Sequence, residues 1–140
     1  MLRYPLIHPE ILSTLGRAGH GSQILIADSN YPFSTGAHPN ATRVYLNLAP
    51  GLVSASDVLR TLVTAIPVES AAGIVPDDEI EPPIFAEYRE IMPDVELSKL
   101  KRFPFYDVAR SMNTALVIAT GEQRTYACIL LTIGVVHASE

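Results

Sequence analysis

Cysteine occurs once in the chain, at Cys128, so no internal disulfide framework braces the fold and a reducing compartment is compatible with the composition. Charge is also sparse. Only 18 % of the 140 residues are Asp, Glu, Lys or Arg, against roughly 25 % in ordinary soluble proteins. The ten Lys and Arg are scattered and the net charge is −5, so no basic stripe exists for a phosphate backbone, and nucleic acid is not an expected partner. No apolar run approaches the roughly 20 residues that cross a bilayer, and the opening MLRYPLIHPE lacks the apolar core of a secretion signal. No membrane contact is expected, and the location expected is the cytoplasm. Repeats, low-complexity tracts and dividing linkers are likewise missing, which predicts one domain over residues 1–140.

What is present is hydrocarbon. At 48 % hydrophobic residues the chain carries more apolar surface than one small domain hides, and self-association would cover the excess. His8-Pro9-Glu10 opens a helix with Ile11, Leu12 and Leu15 on one face, which Gly16 and Gly19 are expected to end. Residues 23–27 and 42–48 read as strands, separated by SNYPFSTGAHPN, a loop long enough to suggest function rather than mere connection. Ser54 and Asp57 resemble a capping box ahead of a helix through Val58, Leu59, Leu62, Val63 and Ile66, with Pro67 as its stop. Residues 68–75 suit a strand, a helix follows from about Pro83, and Pro104 is expected to open another. TALVIAT and YACILLTIGVV are two further strands. The five residues between them are too few for a parallel crossover, so the pair is expected to run antiparallel or to join different sheets. The fold class is α/β with a mixed sheet.

Two residues flank the first strand. In open α/β sheets ligands gather beyond the carboxyl ends of strands, where Asp28 sits; the same side chain is equally suited to capping the turn that follows. His20 lies between Gly19 and Gly21, either a solvated turn residue or a proton carrier with an unperturbed pKa of about 6.5. An extended strand of six or seven residues is about 20 Å long, so one copy of His20 cannot reach its own Asp28 unless the chain folds back, and a neighbouring subunit is the alternative.

Other constellations are weaker. His8, His38 and His137 lack metal-ligand spacing to each other or to carboxylates, so no metal site is expected. Gly-His-Gly follows a helix and precedes a strand, the reverse of a phosphate-binding turn, and no Gly-x-Ser-x-Gly elbow occurs. Cys128 suits a small buried side chain, Arg102 among aromatics either a solvated charge or a clamp for an anion or hydroxyl, and Tyr126 a rim residue whose phenol can donate.

In their order, three blocks of the chain resemble the RbsD/FucU family, and more closely its fucose mutarotase branch. These are HPEILSTLGRAGHGSQILIADSNYP, RFPFYDVARSMNTALVIATGE and TYACILLTIGV; residues 34–100 match less well apart from GLVSASDVL. The resemblance implies three-layer α/β/α subunits with a mixed, mainly parallel sheet, assembled into rings, commonly decamers, with sugar pockets at subunit boundaries. It implies that His20 transfers protons with Tyr126 as a relay, and that Asp28, Arg102, Tyr126 and Cys128 bind the substrate. Cys128 departs from the family pattern, which has asparagine there. The implied activity is anomer interconversion of a pyranose, L-fucose foremost, by general acid and base catalysis without metal or organic cofactor. A D-ribose pyranase and a non-catalytic monosaccharide-binding or transport-accessory protein are the alternatives.

Overall fold

Gln23–Ala27 is apolar at four consecutive positions, and all four of Ile24, Leu25, Ile26 and Ala27 are fully buried. A strand hidden on both faces needs a layer on each side. In the computed structural model, which describes residues 1–139, both layers are present. The order is α1 (Pro9–Arg17), β1 (Gln23–Ala27), β2 (Thr42–Tyr45), α2 (Ala55–Leu62), β3 (Val68–Ile74), α3 (Ile84–Ile91), β4 (Leu97–Leu100), α4 (Arg102–Ala109), β5 (Thr114–Ala119) and β6 (Ile129–Ile133).

The strands form one sheet in the order β2-β5-β1-β6-β3-β4. Every neighbouring pair is parallel except the two that involve β6, which runs against β1 and β3. Because side chains alternate across a strand, Ile24, Ile26, Leu116, Ile118, Ile129 and Leu131 face one layer while Leu25, Val117 and Leu130 face the other. The first layer is built by α1, α2 and α3 through residues such as Ile11, Leu59 and Phe85. The second rests on α4, through Phe105 and Ala109. Three layers and a mixed sheet therefore agree with the expected architecture. No helix among the described residues is long and apolar enough to cross a membrane.

Local departures from the sequence reading have physical causes. α1 continues through Gly16 to Arg17, because nothing lies within 4 Å of a Gly16 side-chain position and the exposed turn tolerates glycine; the chain leaves the helix at Ala18. β2 stops at Tyr45, and Leu48 is exposed rather than pointed at the core. α2 ends at Leu62 and reaches Pro67 through a turn, while α4 starts at Arg102, with Pro104 inside its first turn where a missing N–H costs nothing. β4 was not legible: LSKL has two exposed residues of four and forms by pairing with β3.

The expectation for the last two strands needs correcting. β5 and β6 run in opposite directions, yet they neither pair with each other nor belong to different sheets. β1 lies between them, bonded to both, because its four consecutive apolar residues claim the most buried place in the sheet.

Candidate functional site at the carboxyl edge of the sheet

The reversal of β6 creates the site. β1, β3 and β4 end at the edge where β6 begins, and since the sheet runs β1-β6-β3-β4, it sets Asp28, Cys128, Ile74 and Arg102 along one edge. A cavity of about 190 Å³ opens there, lined by these four residues and by Tyr31, Tyr106, Asn30, Thr125 and Tyr126.

Asp28 caps the turn and also lines the cavity. Its Oδ1 accepts the Asn30 N–H at 3.0 Å, a turn cap, and its Oδ2 accepts the Ala127 N–H at 3.2 Å. The side chain is buried and lines the cavity. Its own N–H donates to the Cys128 sulfur at 3.3 Å. Burial, and then the Asp28 charge, push the thiol well above its ordinary pKa, so Cys128 stays protonated.

Tyr126 lies outside β6 rather than at its start. It occupies the left-handed backbone region with φ of 58°, unusual for a residue that is not glycine, and its side chain is exposed at the cavity mouth. The turn that imposes this conformation is held from two directions. Ser29 donates from its N–H and its hydroxyl to the Glu122 carbonyl at 2.9 and 2.8 Å. The buried Glu122 carboxylate accepts the Arg124 N–H, Nε and Nη2, and also the Ala55 N–H at the start of α2. Arg124 also pairs with Glu87 of α3. The Arg124 hydrogen bonds hold the Glu122 carboxyl below the usual range.

Arg102 projects from the first turn of α4, exposed, with its guanidinium carbon 5.2 Å from the Phe103 ring centre and 5.6 Å from that of Tyr106. It makes no ion pair among the described residues, which leaves its donors available to a ligand. Arg110 stands 5.5 Å from the same Tyr106 ring, so two cations flank it.

Tyr31 and Tyr106 were missed by the sequence reading. Their rings meet edge to face at 4.9 Å. The signal for Tyr31 lay in the long loop, which folds back because the Arg43 guanidinium donates to five of its carbonyls, those of Phe33, Ser34, Ala37, His38 and Ala41. Gly36 makes that fold possible: an added Cβ would stand 2.5 Å from the Tyr31 ring.

His20 is not part of this cavity. It precedes β1 at the opposite edge of the sheet, 57 % exposed, with Nε2 3.2 Å from Glu69 Oε1. β1 alone spans roughly 16 Å, so Asp28 of the same chain is out of reach. A wider hollow of about 600 Å³ lies at the same edge as His20, where β1, β2 and β5 begin, bounded by Arg17, His38, Asn40 and Thr114. It contains no carboxylate to pair with hydroxyls.

Comparison with known proteins places the chain in a family. The human and mouse proteins named fucose mutarotase are 35 % and 34 % identical to the chain, covering 93 % and 92 % of it and 90 % of their own lengths. The fucose mutarotase of Streptococcus pneumoniae, solved in complex with L-fucose, superposes with a TM-score of 0.83 at 28 % identity, over 98 % of this chain and all of that one. The profile of the RbsD / FucU transport protein family matches residues 1–136, and the chain belongs to that family.

Proposed function

We propose that residues 1–140 act as one mutarotase domain that interconverts the α and β anomers of a pyranose, L-fucose foremost. The observation that carries this reading is the convergence of Asp28, Arg102 and Tyr126, from three distant segments, on one cavity in a chain whose relatives are named fucose mutarotase.

Opening a cyclic hemiacetal requires a base to take the anomeric hydroxyl proton and an acid to deliver one to the ring oxygen as the C1–O bond breaks. The freed aldehyde rotates, and reclosure on its other face gives the other anomer. Asp28 and Arg102 hold hydroxyls. Tyr126, at the mouth, relays a proton through its phenol. His20 carries the main proton transfer and enters the cavity of a neighbouring copy, since its position beyond the start of β1 keeps it from its own. Positioned acid–base groups typically contribute roughly 10²–10⁴-fold, adequate for a reaction that proceeds unaided.

A site made from opposite edges of two copies suits a heterologous contact, which generates a ring when its rotation closes. A cytoplasmic ring, a decamer, would also cover exposed residues such as Leu2, Tyr4 and Ile7. Arg102 in Arg-Phe-Pro-Phe-Tyr favours L-fucose over the D-ribose pyranase alternative. A non-catalytic monosaccharide-binding protein is favoured by one observation, the separation of His20 from the cavity within one chain.

Saturation-transfer NMR on L-fucose and D-ribose tests the proposal. Acceleration of anomer exchange by the natural chain and its loss in His20→Ala support the enzyme. Binding without acceleration supports the binding protein, and neither effect with any monosaccharide defeats both.

A further inference from the structure

Tyr126 hangs between two fixed points of the main chain. Two residues before it the Arg124 N–H donates to Glu122 Oε1 at 3.1 Å, and one residue after it the Ala127 N–H donates to Asp28 Oδ2 at 3.2 Å. Between these points the chain holds Tyr126 at φ of 58°, a conformation that a side chain other than glycine keeps only where its surroundings impose it. Asp28 secures the far end from within the cavity.

The near end is secured from outside it. The buried Glu122 carboxylate takes the Arg124 guanidinium in a fork, Oε1 accepting from Nε at 2.9 Å and Oε2 from Nη2 at 3.0 Å, and Oε2 also accepts the Ala55 N–H of α2 at 3.2 Å. The third nitrogen, Nη1, pairs with Glu87 of α3. Both helices are seated on the sheet by apolar side chains such as Leu59 and Phe85, so they serve as fixed supports for the clasp. A planar fork fixes orientation as well as distance.

Neither Glu122 nor Arg124 lines the cavity. We propose that Arg124, through its fork on Glu122, is a positioning residue for mutarotation: it sets the turn so that the Tyr126 phenol stands at the cavity mouth, and it touches no substrate itself. This inference rests on the mutarotase reading and on the relay given there to Tyr126.

Arg124→Lys keeps a cation beside Glu122 but loses the fork, which makes it the first variant to test. NMR exchange at saturating L-fucose is expected to fall by about 10- to 100-fold, the loss that a small misplacement of a reacting group brings. Affinity by titration calorimetry should hold, because Asp28 and Arg102 keep their places. In a Tyr126→Phe background the same substitution should cost nothing further, since residues that act as a unit are not additive. Glu87→Gln frees only the exposed end of the clasp and should show a smaller loss with the same dependence on Tyr126, a measurement that stands even where the lysine variant does not fold. Equal losses in both backgrounds, or a Tyr126→Phe protein as fast as the natural one, overturn the positioning role and leave the mutarotase reading intact. A natural protein that accelerates no exchange of L-fucose or D-ribose defeats that reading, and the positioning role with it.

Discussion

The Asp28 carboxylate accepts the main-chain N–H of Ala127 at 3.2 Å, joining two points 99 residues apart in the chain. That bond fastens the end of β1 to the segment entering β6, so the same side chain that faces the cavity also holds the neighbouring Tyr126 where it is.

Asp28→Asn tests this double role. An asparagine has one acceptor oxygen where aspartate has two, so one of the two main-chain N–H groups is left facing an amide donor. Leaving a buried donor unsatisfied costs about 1–3 kcal/mol. Urea denaturation should show a loss of that size, and L-fucose binding should disappear even under conditions where the variant remains folded. An unchanged midpoint would contradict the structural half of the argument.

His20→Ala should behave differently. The imidazole is exposed and its contact with Glu69 is a surface pair, so folding stability should change little. Anomer exchange should fall by about 10²–10⁴-fold while sugar binding persists. Mixing inactive His20→Ala and Asp28→Asn chains before assembly gives a sharper measurement: where neighbours share a site, about a quarter of the sites in a random mixture are intact and activity returns. No recovery would place both residues' roles within one chain.

Glu122 carries a pH dependence. Its folded carboxyl is held below the ordinary range, first by the Arg124 side-chain hydrogen bonds, so its contribution is present above the unfolded pKa of about 4.3 and is lost as pH falls through the folded value. At pH 7, Glu122→Gln should destabilise the protein by about 1–2 kcal/mol, the lower part of the range for charged hydrogen bonds because Arg124 is 45 % exposed. The gap between the two proteins should shrink on acidification below pH ~4. Parallel stability curves down to pH 3 would refute the assignment.

Two glycines should respond in opposite directions to alanine. Gly16 lies within α1 with open space around it, so Gly16→Ala should raise stability by about 0.5–1 kcal/mol. At Gly121 a Cβ would stand 2.2 Å from the Leu52 carbonyl oxygen and 2.3 Å from that of Ala49. Both are main-chain atoms that cannot rotate aside, so Gly121→Ala should cost at least about 1–3 kcal/mol. Thermal melts of the two variants compare the effects directly.

Much of the architecture was legible because it follows from local pattern. The apolar run of β1 announces a strand covered on both faces, and Ser54 caps α2 through the Asp57 N–H as its spacing requires. β4 escaped because its four residues carry little hydrophobic signal and depend on β3 for their conformation. Arg43 gave no sign that its guanidinium would organise the loop before it, since its five carbonyl partners exist only once that loop has folded back.

The residue order alone determined the α/β class, the buried central strand, and the chemistry available at Asp28, Arg102 and Tyr126. Which of them share a cavity was decided by the tertiary structure, because insertion of β1 between β5 and β6 and the reversal of β6 bring segments from residues 28, 74, 102 and 126–128 to one edge of the sheet. The position of His20 was decided in the same way: a straight strand holds its two ends apart, a distance no local pattern can shorten.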